Sequence, residues 1–177
     1  MADEDDEQSR SEENQNLVSR PPVEADLVAL CRSLNNLEAD YAVVGGYAII
    51  HAGYPRMTGD LDILIDTSPE NEAKVFEALR ILPDQAVDEL DPGDVEKFSV
   101  VRIADEITID LMKSAGGIDY AQASKQLITK VIQNVEIPFA SPRLLWLMKC
   151  HTHREKDEGD LLFLRRLIEE SGETLPE

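Results

Sequence analysis

The sequence predicts an α/β (α+β) fold whose last third is helical, and three observations predict it. Runs of strand length lie at residues 41–44, 60–66, 97–103 and 106–113, with side-chain character alternating along 60–66 and 106–113. Stretches with apolar residues at helical spacing lie between and after them, at 23–37, 69–79 and 155–170. A chain of 177 residues with 42% hydrophobic content is long and apolar enough for one core.

The elements follow in chain order. Residues 1–20 carry Asp3, Glu4, Asp5, Asp6, Glu7, Glu12 and Glu13 with almost no apolar side chains, so they are expected to form a disordered acidic tail. Pro21 and Pro22 close it and can open a helix with Leu27, Leu30, Cys31, Leu34 and Leu37 on one stripe. Residues 21–140 are expected to form the core, with 141–177 as C-terminal helices packed on it. Strand 41–44 stops at Gly45 and Gly46, and 47–51 reads as a small helix; backbone N–H groups at such a turn form a ready anion site. Strand 60–66 sends Asp60, Asp62, Leu64 and Asp66 to one face and Leu61, Ile63 and Ile65 to the other. Asp66 reads as helix-entry chemistry, Ser68 as an N-cap and Pro69 as a first turn, with Val75, Phe76 and Leu79 on the buried side.

Ala104 and Asp105 separate the next two strands at hairpin spacing. In the second, Ile107, Ile109 and Leu111 share the core face and Asp110 lies on the other. Residues 118–127 read as helical, short strands are expected around Val131 and Ile137, and Ser141 with Pro142 starts a helix bearing Leu144, Leu145, Leu147 and Met148. Trp146 reads as packing.

A net charge of −19 and a pI near 4.4 argue against general nucleic-acid binding, which rests on Lys and Arg contacts to phosphate. Cys31 and Cys150 are the only cysteines and form no CxxC pair, and no signal peptide or membrane-length apolar run is evident. A cytoplasmic setting with no membrane and no disulfide is expected. Cys150, His151 and His153 lack the spacing and fourth partner of a zinc site.

The acids carry the chemistry. Asp60 and Asp62 share a strand face with Cα atoms roughly 6–7 Å apart, so their carboxylates repel unless a hard divalent cation such as Mg²⁺ sits between them. Asp110, flanked by core residues on a strand that can lie beside 60–66, supplies a third acid. Three such groups can hold two metal ions that clamp the attacking and leaving oxygens of a phosphoryl-type transfer.

Gly45-Gly46, then Asp60-Leu61-Asp62-Ile63, then Ile109-Asp110-Leu111 resemble the three-part signature of the DNA polymerase beta-like nucleotidyltransferase superfamily. The wording GGYAII and GYPRMTGDLDILI is similar to small bacterial proteins grouped with AbiEii-type toxins. The resemblance covers residues 41–167. It implies a mixed sheet flanked by helices and an NTP substrate, ATP first among them. It implies two Mg²⁺ ions, with Mn²⁺ as an alternative, held by Asp60, Asp62 and Asp110, the last helping to activate the incoming hydroxyl. Gly45 and Gly46 would approach the phosphates, and Arg56 and Thr58 match the RxTxD pattern of the subgroup. Many active members carry serine at the second turn position, where this chain has Gly46. Lys149, Arg154, Lys156, Asp157, Asp160 and Leu161 resemble the K...RxKDxxDL stretch of the subgroup, which would put Lys149 and Lys156 near the triphosphate. The implied activity is transfer of a nucleoside monophosphate to an acceptor hydroxyl on a protein, an RNA or a small molecule, as in a toxin of a toxin-antitoxin pair. The contrasting expectation is a non-catalytic interaction protein that keeps the fold and binds a protein partner.

Overall fold

The computed structural model of the chain describes residues 18–177, so the predicted acidic tail lies outside the described residues except at its end. That end is attached to the core: the Arg20 N–H donates to the Glu106 carbonyl at 2.9 Å, and Arg20 forms a parallel bridge with Ile107. Helix α1 (Glu24–Asn36) buries Leu27, Leu30, Cys31 and Leu34, the stripe its spacing predicts. Its start is fixed by Asp26, whose carboxylate accepts from the Val23 N–H at 2.7 Å while Arg20 forks onto both its oxygens.

Strand β1 (Tyr41–Val44) is buried throughout and runs directly into helix α2 (Gly45–His51), which is followed by β2 (Asp60–Ile65). Leu61, Ile63 and Ile65 are fully buried, each stabilising the fold by about 1.5–3 kcal/mol. Leu64, predicted for the acidic face, is also buried, so that face is covered at its far end and open only at Asp60 and Asp62. Helix α3 (Pro69–Leu79) follows. The Asp66 carboxylate accepts from the Ser68 N–H at 3.0 Å, the entry role expected of it, whereas the Ser68 side chain makes no capping bond.

The acidic stretch before β3 contains a short 3-10 turn (Ala86–Glu89) and helix α4 (Asp94–Phe98), so the first residues of the predicted strand 97–103 are helical. Buried Glu72 decides this, because its carboxylate accepts from the N–H groups of Gly93 and Val95 and tethers the start of α4 to α3. Strands β3 (Val100–Ala104) and β4 (Thr108–Met112) form the expected antiparallel hairpin. Its connection is three residues rather than two, held by buried Asp105, which accepts from the N–H groups of Glu106, Asp84 and Ala86.

The segment 118–127 is not one helix. It begins as β6 (Ile118–Asp119), the second arm of a small hairpin with β5 (Ser114–Ala115), and continues through a single helical turn, α5 (Tyr120–Ala123), and a short 3-10 turn (Ser124–Gln126). Two full strands follow, β7 (Leu127–Ile132) and β8 (Val135–Ala140), joined by Gln133 and Asn134, both at positive φ as a tight primed turn requires. Helix α6 (Pro142–Lys149) starts as predicted, with the Ser141 hydroxyl accepting from the Leu144 N–H at 3.2 Å. A 3-10 turn (Glu155–Asp157) leads into α7 (Glu158–Glu170), whose Leu164 and Ile168 are buried.

The strands make one mixed six-stranded sheet of order β3-β4-β2-β1-β8-β7, flanked by helices. Strand β2 is antiparallel to β1 and parallel to β4, while β8 joins parallel to β1. Helix α1 packs with α3, and α6 packs with α7. Trp146 is half-buried and donates its ring N–H to the Pro176 carbonyl at 3.2 Å, a packing role. No helix among the described residues is long and apolar enough to cross a membrane.

Candidate active site

The sheet register assembles the acids. Because β2 runs antiparallel to β1, Asp62 lies opposite Val44, the residue just before the glycine pair. Because β4 runs parallel to β2, Asp110 lies opposite Asp62. One oxygen from each of Asp60, Asp62 and Asp110 lies within 4.8 Å of the other two, and among the described residues this is the one such cluster of His, Cys, Asp or Glu side chains. Cys150, His151 and His153 make no comparable group.

The glycine turn fits tightly against these acids. Gly45 has φ +63°, and a Cβ there would stand 2.0 Å from Asp62 Oδ2. Both the left-handed backbone and the close approach therefore require glycine. The Gly46 N–H is turned toward Asp62 closely enough to pull the pKa of its carboxyl down. A Cβ on Gly46 would stand 2.4 Å from Thr58 Oγ1, so the Thr58 hydroxyl fills the volume that a serine at this position would use. Thr58 is itself held by donating to the Asp60 carbonyl at 3.3 Å.

Burial of the Asp62 carboxyl, with the Asp60 and Asp110 carboxylates beside it, pushes its pKa up to about 6 against the opposing pull of the Gly46 N–H and Lys149. A carboxyl raised this far marks a site short of positive charge. The all-oxygen donor set and this deficit suit a hard divalent cation such as Mg²⁺ or Mn²⁺, with Asp60, Asp62 and Asp110 as the residues that would hold it.

Part of the deficit is met by a residue that does not figure among the sequence candidates. Arg102 on β3 donates Nε to Asp110 Oδ1 and Nη2 to Asp110 Oδ2, both at 2.8 Å, and Nη2 also reaches Asp60 Oδ2 at 3.1 Å. This is a bidentate fork on two of the three acids.

All nine candidate residues line one cleft of about 730 Å³: Gly45, Gly46, Arg56, Thr58, Asp60, Asp62, Asp110, Lys149 and Lys156. Thr152, Arg154, Val100, Met57 and Met112 line it too. The positive wall is more connected than helix-face ion pairs would be. Lys149 is buried, with Nζ 2.8 Å from Asp157 Oδ1 and 3.2 Å from Asp160 Oδ2, and both aspartate side chains are only 2% exposed. Arg56 donates Nη2 to Asp160 Oδ2 at 3.1 Å, and its Nε lies 3.0 Å from Oδ1 as an ion pair without hydrogen-bond alignment. Asp157 also accepts from Thr152 at 2.8 Å and Arg154 at 2.7 Å. Burial alone would raise the Asp157 pKa, but bonds from Lys149, Thr152 and Arg154 bring it down to about 2. Together with Arg56, the Lys149-to-Asp160 stretch is thus one ion network in which Lys149, Arg56 and Arg154 face Asp157 and Asp160. One positive charge is left in surplus beside exposed Lys156.

No protein-family model matches the sequence, and no curated protein matches it. Among solved structures, the chain is similar to the lincosamide antibiotic adenylyltransferase LnuA with lincomycin bound, at 15% identity and a TM-score of 0.52, covering 84% of this chain and 99% of that one. The fold is that of the nucleotidyltransferases. It is also similar, at 16% identity and a TM-score of 0.48, to an antigenic nucleotidyltransferase-like protein from Paracoccidioides brasiliensis, covering 81% of this chain and 74% of that one. At these identities the likeness concerns the nucleotidyltransferase fold itself, a mixed sheet flanked by helices.

Arg102 left a faint trace in the sequence: buried Val101 and Ile103 alternate with it on β3, which places it on the same sheet face as the acids. Its pairing with Asp110 depends on the three-residue connection, since a two-residue turn sets a different register.

Proposed function

We propose that this chain is a Mg²⁺-dependent nucleotidyltransferase that moves a nucleoside monophosphate from an NTP to an acceptor hydroxyl. The reading is carried by three carboxylates whose oxygens lie within 4.8 Å of one another, on two adjacent strands, against a glycine turn that admits no side chain. In the reaction the acceptor oxygen bonds to the α-phosphorus, the bond from that phosphorus to the oxygen bridging to the β-phosphorus breaks, and pyrophosphate leaves. When bound, the metal neutralises charge on the phosphates and acidifies the acceptor hydroxyl. Asp60, Asp62 and Asp110 would hold it, and an Asp110 carboxylate oxygen takes the acceptor proton.

The backbone of Gly45 and Gly46 lets the phosphates approach the start of α2. Arg56 and Thr58 brace the loop before the acids, and the surplus charge of the Lys149 network with Lys156 receives the β- and γ-phosphates. Such a site works chiefly through positioning and charge. The likeness to an adenylyltransferase favours ATP as the donor. The wording around the glycine turn favours an AbiEii-type relative, a toxin partnered by an antitoxin, acting in the cytoplasm on a hydroxyl of a protein, an RNA or a small molecule.

Radiolabelled NTP with Mg²⁺ or Mn²⁺ and a cell extract tests this. Label transfer by the wild type that is lost in Asp60→Ala and Asp62→Ala is the expected result. Absence of transfer together with absence of calorimetric NTP binding refutes the reading. A second reading, a non-catalytic interaction protein, is favoured by one observation, the Arg102 guanidinium that engages two of the acids. It predicts stable capture of a protein partner by the wild type and by Asp62→Ala alike.

A further inference from the structure

Arg102 does what a metal ion would do at the triad, with the same atoms. Its Nε and Nη2 take both oxygens of Asp110 at 2.8 Å, and Nη2 takes Asp60 Oδ2 at 3.1 Å. A hard divalent cation held by the triad would draw on the same two carboxylates, and two cations a few ångströms apart repel strongly in a partly buried site. Guanidinium and metal therefore cannot both occupy the position.

Nothing in the packing holds Arg102 there. The side chain is 62% exposed on an edge strand anchored by buried Val101 and Ile103, so it can rotate out of the cleft without disturbing the core. Asp110 is buried while the guanidinium on it faces solvent, so the fork sets the charge at the site from a side chain that remains accessible to water.

We propose that Arg102 is the resident counter-cation of the acid triad and competes with the divalent metal for Asp110 and Asp60, so that it must swing out before the metal is held. This rests on the metal-dependent reading above. It also bears on proton transfer: Asp110 can accept the acceptor proton readily only once at least one of its oxygens is released from the fork. Arg102 acts here through the acids it covers, as a positioning residue.

The test is Mn²⁺ binding to the full chain without nucleotide, by calorimetry and by electron paramagnetic resonance. Four proteins are compared: wild type, Arg102→Gln, Arg102→Lys and Arg154→Gln. Arg154 lines the same cleft but pairs with Asp157, so its variant measures the effect of removing a nearby charge that does not cover the triad. Arg102→Gln is expected to bind Mn²⁺ about five- to tenfold more tightly than wild type. Arg102→Lys, which keeps the charge but cannot fork, falls between them. Arg154→Gln changes affinity by less than about twofold.

Unchanged or weaker binding in Arg102→Gln, with a native circular dichroism spectrum, overturns the proposal and makes Arg102 a support for Asp110. A gain as large in Arg154→Gln also overturns it, in favour of a general field effect. No Mn²⁺ binding by either wild type or Arg102→Gln at millimolar concentration overturns the metal-dependent reading together with it.

Discussion

Lys149→Met should destabilise the chain by about 3 kcal/mol, and the network around it sets that figure. The substitution keeps the volume and the apolar stem but removes Nζ, which bonds Asp157 at 2.8 Å and Asp160 at 3.2 Å. Both aspartates have side chains only 2% exposed, so neither can recover a lost partner from bulk water. Breaking a buried ion pair costs about 3–5 kcal/mol. The lower end applies because Asp160 keeps Arg56 and Asp157 keeps Arg154 and Thr152. For a chain of this size that is a fall in Tm of about 6–12 °C, readable by circular dichroism melts at pH 7. Pairing the change with Asp160→Asn should recover part of the loss, since one uncompensated charge is then gone. A loss under about 1 kcal/mol for Lys149→Met would refute the reasoning and return Lys149 to a solvated or ligand-facing role.

Four further outcomes can be measured. The folded pKa of Asp157 lies near 2, below its unfolded value of 3.8, so its contribution to stability is complete above about pH 4 and is lost as pH falls towards 2. Urea titrations at pH 2, 3 and 5 should show a smaller loss in Asp157→Asn than in wild type, the remainder coming from other lowered carboxyls such as Asp26. Glu72→Ala should cost about 1.5–3 kcal/mol by leaving the N–H groups of Gly93 and Val95 without their carboxylate, measured by urea unfolding. Gly45→Ala, strained at φ +63° and driven into Asp62, should lower label transfer at least about tenfold while the protein remains folded, checked by the radiolabel assay beside a dichroism spectrum. Gly46→Ser should lower Tm through its clash with Thr58, and adding Thr58→Ala should restore only part of the loss, because it removes Oγ1 at 2.4 Å but leaves the Thr58 Cβ 2.7 Å from the new Cβ.

Local patterning made the central strands legible. The four-residue run 41–44 ended at glycine, and the alternation in 60–65 and 108–112 gave both the core faces and the parity of the acids. Strand pairing was less accessible, because it depends on turn geometry rather than on the strands. The β3–β4 register turns on buried Asp105 gathering three backbone N–H groups, and only that register sets Arg102 against Asp110. In the last third, β7 and β8 were foreshadowed only as short segments around Val131 and Ile137. Their turn is Gln133-Asn134 rather than the glycine-containing pair that signals a hairpin, and β7 is an exposed edge strand with little apolar contrast between its faces. The start of α4 was hidden for a different reason: its tether, Glu72, lies on another helix, and no window of local sequence contains both.

The place of β8 beside β1 has a consequence for synthesis of the protein. The acids and the glycine turn all emerge from the ribosome by residue 110, but β1 lacks its second neighbour until residue 140 has been made. The ion network that walls the cleft waits longer still, for Asp160. Chains stopped before residue 140 therefore carry the whole acid triad without the frame that holds it, and competence waits until residue 160 has been made.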